Sequence, residues 1–218
     1  MVLIDFQQRF FKYGGAHTLG DLPHVLAAVS EKEGLSDVLT RLQYEYSARP
    51  AGEPRPEIFV IADNYDDFTN ILGPATRATE YRDLAELARK YGPEGLHIVL
   101  CGSLSIMRSM DDLVKQVVAP RYGLGLDSSD APSALGGRVR GGGDEFPPGR
   151  GYVVKAGRLS LIQTALPHDE SDLEGSLDRW LEEIGGHYKS RARWYMEINP
   201  PPEPEPAESA DKASTPAR

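Results

Sequence analysis

Between Glu57 and Phe68 an apolar run, Ile58-Phe59-Val60-Ile61-Ala62, stops abruptly at Asp63-Asn64-Tyr65-Asp66-Asp67. An aspartate held at such a point can ligate a divalent cation, and a neighbouring amide can hydrogen-bond a water without taking its proton. Chemistry of this kind needs its polar groups fixed in place. A run of strand length, rich in β-branched and aromatic residues, supplies the support and reads as a strand covered on both faces, as in a parallel α/β sheet. Polar groups at the carboxyl end of such a strand lie at the rim where α/β sheets bind ligands. The same pattern also suits a buried strand followed by a polar turn with no ligand, so the surrounding elements have to decide.

At 218 residues the chain can bury one good core, and one domain with appendages is expected. A formal net charge of -9 argues against coating nucleic acid or anionic membrane by bulk charge, although a local basic groove stays open. The single cysteine, Cys101, excludes an internal disulfide and a cysteine-cluster metal site, which suits a reducing cytosol. No apolar run approaches membrane-spanning length and no signal-peptide pattern opens the chain, so a soluble, cytoplasmic protein is expected.

Taken in order, Val2-Leu3-Ile4 reads as a strand followed at once by Asp5. Leu19 to Ala48 carries apolar residues at helical spacing, with Asp21 as a cap and Gly34-Leu35-Ser36 as a break between two helices. Arg49 to Pro56 is a Pro/Gly loop leading into the strand at 58. Asn70 to Ala78 reads as loop, Thr79 to Tyr91 as an amphipathic helix closed by Gly92-Pro93, and Leu96 to Cys101 as the next buried strand. Ile106 to Val118 is helical in pattern, Tyr122 to Leu126 a short strand, Ser128 to Leu135 a short helix or turn, and Gly136 to Gly151 a glycine-rich loop. Tyr152 to Lys155 and Leu159 to Thr164 make a hairpin, and Ser171 to Ile184 a helix ended by Gly185-Gly186. Strands alternating with helices imply an α/β fold with a mostly parallel sheet.

Four motifs in this order resemble the FtsK/SpoIIIE superfamily of RecA-like P-loop motors, most closely the ATPase domains of type VII secretion. Met1-Val2-Leu3-Ile4-Asp5 resembles the strand after their P-loop helix, and Ile58 to Asp66 resembles their Walker B element. Gly95-Leu96-His97-Ile98-Val99-Leu100 resembles their sensor strand; Leu135-Gly136-Gly137 with Pro147-Pro148-Gly149-Arg150-Gly151 before a hairpin resembles their closing segment. The match spans roughly residues 1 to 165. It implies a RecA-like sheet flanked by helices, missing the P-loop strand and helix, with a C-terminal β-hairpin and helix. Asp63 then takes the Mg²⁺-binding position of Walker B, beside Mg-ATP in a complete assembly. Asn64 takes the catalytic-acid position, Asp66 and Asp67 are substitutes for it further along the turn, and Ser103 is sensor-like. Because such motors work as rings, Arg121 and Arg150 are candidates to reach a neighbouring subunit's nucleotide, though both also suit surface arginines near loops.

The departures from the family pattern concern the same site. No Gly-x-x-x-x-Gly-Lys-Ser/Thr occurs in the chain, and that loop supplies the amides and the Lys that hold the phosphates. In the family it lies just upstream of the strand at Val2, so the chain is expected either to be a fragment of a longer ATPase or to leave strand edges for something to cover. Asn64 replaces a carboxylate, and loss of general-base help typically costs a factor of about 10² to 10⁴. Cys101, Gly102 and Ser103 replace the polar residues that read the γ-phosphate, leaving the hydroxyl of Ser103. These losses point away from catalysis, and no cofactor is expected on the isolated chain.

Other candidates are weaker. His97 reads as a satisfied core or outer-sphere histidine rather than a base, and His17, His24, His168 and His187 lack metal-ligand spacing. The stretch Gly136 to Gly143 could touch a phosphate backbone or an anionic partner but more simply connects elements. Lys189, Arg191 and Arg193 around Trp194 and Tyr195 read as a packing helix end.

The expected organisation is a partial FtsK-like ATPase domain (1–166), a helical extension (167–199) and a Pro/Glu-rich tail (200–218). The leading expectation is a degenerate ATPase module that binds partners or regulates a motor ring, cytoplasmic and peripheral to a membrane secretion complex. Its expected partners are further copies of itself or a P-loop-bearing subunit, with secreted protein or DNA as cargo. The alternatives are a fragment of an active translocase and an unrelated doubly wound interaction domain. The tail has little to bury, so limited proteolysis should remove it from about Pro200 without lowering the melting temperature of the remainder.

Overall fold

Val2, Leu3 and Ile4 are all buried and form β1 (Val2–Ile4) in the middle of a parallel sheet. The computed structural model describes residues 1–9, 18–50, 52–74, 78–103, 113–114, 122–126, 131–137, 146–155, 157–165, 171–188 and 190–201. β2 (Ala27–Val29) pairs on one side of β1 and β3 (Ile58–Ala62) on the other, with β4 (Leu96–Leu100) beyond β3. All three pairings are parallel, giving the order β2-β1-β3-β4. Register aligns Ile4 with Ala62 and Ala62 with Leu100, so the three strands end level.

The sequence reading of two helices between Leu19 and Ala48 is corrected. Leu19–Asp21 is a single 3-10 turn, and Asp21 serves it from the third position, its carboxylate accepting from the Thr18 backbone N–H at 2.8 Å. Ala27–Val29, with Asp5 N–H bonded to the Val29 carbonyl at 2.8 Å, is a strand because the edge of β1 gives its backbone groups partners. Helix α1 (Lys32–Ser47) then runs straight through Gly34-Leu35-Ser36. Gly34 lies in its first turn and Leu35 is fully buried, so core packing outweighs the weak helix propensity of one glycine.

The loop expected from Asn70 to Ala78 is corrected at its start, where α2 (Phe68–Leu72) takes in residues 70–72. Phe68 is fully buried against the rings of Phe6 and Tyr65, at 5.0 and 4.7 Å between centroids, which anchors a helical turn. Helix α3 (Thr79–Tyr91) matches its sequence expectation. α1 and α3 cover one face of the sheet, where Val2, Ile4, Ile58, Val60, Ala62 and Leu96 share a cluster with Leu42, Tyr46 and Leu84. Leu113 and Val114 join that cluster, while the rest of the helix expected over 106–118 lies outside the described residues.

A second sheet is antiparallel, β5 (Tyr122–Leu124) with β6 (Arg150–Lys155) and β7 (Arg158–Gln163). The hairpin is longer than its sequence reading and starts at Arg150, because Gly151 allows an unusually close approach to β5. A Cβ on Gly151 would lie 2.1 Å from the Gly123 carbonyl oxygen. α4 (Ala131–Leu135) packs on this sheet through Leu135, Tyr152 and Leu159. The central part of the predicted glycine-rich loop, 138–145, lies outside the described residues.

The other face of the parallel sheet is covered on its β1 side. Leu3 and Ile61 meet Leu22, Val25 and residues Trp180, Leu181 and Ile184 of α5 (Leu173–His187). That helix passes through Gly185-Gly186, its expected stop, and ends where Tyr188 stacks on His24 at 4.6 Å. On the β3–β4 side Phe59 and Val99 remain 41% and 40% exposed, so the expectation of a strand covered on both faces fails for that half. Among the described residues no helix is long and apolar enough to cross a membrane.

The chain returns to α1 through α6 (Tyr195–Ile198). Trp194 is buried in the main core, as its reading as a packing residue requires. Glu45, only 4% exposed, accepts from the Tyr195 backbone N–H at 2.6 Å and pairs with Arg49, whose guanidinium sits 4.6 Å over the Tyr195 ring. Burial, then the Glu45 charge, pushes the Tyr46 phenol up to about 12. Removing one member of a buried ion pair strands the other, at a cost of about 3 kcal/mol. Glu45→Ala should therefore lower unfolding stability by that order in urea titrations, and should expose residues 194–199 to hydrogen exchange.

Candidate functional site

The level ends of β1, β3 and β4 place Asp5, Asp63 and Cys101 along one rim of the sheet. Asp63 N–H bonds to the Ile4 carbonyl at 2.9 Å and Cys101 N–H to the Ala62 carbonyl at 2.8 Å, carrying each ladder one step past its strand. Asp5 is fully buried, and its carboxylate accepts from the Gln7 backbone N–H at 2.9 Å. The Gln7 side-chain amide donates in turn to Asp67. The sequence reading did not assign Asp5 to the site. Its signal was present, since Asp5 follows β1 as Asp63 follows β3.

Asn64 turns the chain off the strand. Its backbone is left-handed, at φ 48° and ψ 54°, a conformation asparagine adopts more readily than a branched residue. The turn swings Tyr65–Asp67 into a 3-10 helix, with Tyr65 buried and its N–H bonded to the Cys101 carbonyl at 2.9 Å. The Asn64 Nδ2 atom is buried without a hydrogen-bond partner. An amide there can donate to an oxygen but offers no base.

Asp66 and Ser103 meet directly. The Ser103 backbone N–H donates to one Asp66 oxygen at 2.7 Å and its hydroxyl donates to the other at 2.9 Å. The sensor-like hydroxyl is thus engaged by the residue read as a substitute acid, and the pair ties the acidic turn to the end of β4. Burial, then the negative charge of Asp63, pushes the Cys101 thiol up.

The remaining candidates are not part of this rim. His97 lies mid-strand in β4, stacked on Phe59 at 4.6 Å between centroids, with Nε2 3.8 Å from the Glu57 carboxylate and in no hydrogen bond. It is not the satisfied histidine of the sequence reading, because its side chain is 42% exposed on the open half of the sheet. Arg150 opens β6 in the antiparallel sheet. Arg121 lies outside the described residues, as do His17, His168 and Lys189.

Asp63 sits at the rim on the β3 ladder, beside the Cys101 thiol. Around it Asp5, Asp66, Asp67 and Ser103 are engaged in hydrogen bonds, Asn64 and Cys101 are neutral, and no lysine or phosphate-cradling loop joins them among the described residues. Nor are any three His, Cys, Asp or Glu side chains there arranged to hold a metal ion. The described residues at the rim therefore account for only part of the contacts that Mg-ATP requires.

No family model and no curated protein matches the chain. Solved structures do. EccC from Thermomonospora curvata (ATPases 2 and 3, in complex with a signal sequence peptide) superposes with TM-score 0.55 at 21% identity, covering 77% of this chain and 31% of that one. EssC (ATPases 2 and 3) from Geobacillus thermodenitrificans gives TM-score 0.57 at 16% identity, over 88% of this chain and 39% of that one. The chain shares the α/β fold of these ATPase domains. A further match is the cytoplasmic domain of the type VII secretion ATPase EccC from T. curvata, with TM-score 0.54 at 21% identity, over 77% of this chain and 20% of that one. The chain spans well under half the length of each of these chains.

Two measurements check the rim. Neutralising Asp63 removes a negative charge that disfavours the thiolate, so Asp63→Asn should lower the Cys101 pKa, seen as alkylation rising at lower pH. Because burial is the larger cause, the pKa should stay above that of an ordinary thiol. Asp66→Ala should lower stability by about 1 kcal/mol and speed amide exchange at Ser103, since it removes both hydrogen bonds of the clasp.

Proposed function

We propose that the chain is an ATPase-like module of the type VII secretion kind that binds or regulates within a motor assembly and hydrolyses little or no ATP itself. One observation carries this reading: at the end of β3, Asp63 is followed by Asn64, an amide on a left-handed backbone at the position read as a motor's catalytic acid. The Asp66–Ser103 clasp supports it, since the nearest substitute acid and the sensor-like hydroxyl serve each other. The proposed place is the cytoplasmic side of a membrane secretion complex. The proposed partners are further copies or a P-loop-bearing subunit, with secreted protein favoured as cargo over DNA because the rim is acidic.

The short span against the solved chains favours a second reading, in which the module works joined to P-loop-bearing sequence as part of an active translocase. In such an assembly Mg-ATP would bring the electrophilic phosphorus and its own charge neutralisation. Asp63 would contact the ion, and Asn64 would orient a water without deprotonating it.

Titration calorimetry with the purified chain should show no Mg-ATP binding in the micromolar range. Micromolar binding abolished by Asp63→Ala would overturn the first reading. In an assembly that binds ATP, Asn64→Glu should raise steady-state phosphate release by about tenfold or more, following the worth of a positioned base. No gain would remove Asn64 from the catalytic-acid position.

A further inference from the structure

We draw no further inference here: the strongest candidate, the groove between α1 and α3 lined by Ser36, Leu39, Thr40, Asp83, Glu86 and Leu87, is marked only by surface carboxylates, one of them already paired with Arg82, and nothing in the structure shows what covers it.

Discussion

The parallel pairing of β1, β3 and β4 in level register is the constraint on which the rest depends. Because Ile4, Ala62 and Leu100 stand opposite one another, whatever follows each strand is delivered to one rim. A slip of one residue would invert every side chain of β3, placing Phe59 and Ile61 in the α1–α3 core and turning Val60 outward. The full burial of Val2, Ile4, Ile58, Val60 and Ala62 holds the register against such a slip. The chemistry of the rim is thus set by packing several residues away from it.

The turn at Asn64 shows how that delivery is used. A strand ending in an ordinary extended residue would carry Tyr65 onward past the rim. The left-handed step instead folds Tyr65 under β4 and presents Asp66 to Ser103. The acid therefore closes the gap between two strand ends, and the site is a joined ring of backbone and side-chain hydrogen bonds. The acids of the turn thus lend the rim rigidity.

Much of this was legible in the sequence. Strong periodicity marked α3, and unbroken apolar runs marked β1, β3 and β4, because in each case local propensity and burial agree. The polar turn at Asp63 and Asn64 was legible from residue types alone. Ala27–Val29 was not, since three small or branched residues fit a helix or a strand equally until the edge of β1 chooses between them. Gly34 and Gly185-Gly186 misled for a related reason: glycine weakens a helix, but neighbouring packing decided both cases. The Asp66–Ser103 contact joins residues far apart in the chain and no local pattern announces it. The open half of the second face was hidden too, because an apolar run tells that a strand is hydrophobic but not which faces find cover.

The anchoring of α6 by Glu45 fixes a polarity. α1 follows β2 and precedes β3, both parallel, so the helix runs back from the acidic rim and its last turn lies at the far pole of the sheet. Trp194 and Tyr195 are tied to that last turn through Glu45 and Arg49. Whatever the chain carries beyond Asn199 therefore sets out from the pole opposite Asp63. A tether or fused domain attached there would stand clear of the rim, leaving the two ends of the molecule to be engaged at once by different neighbours.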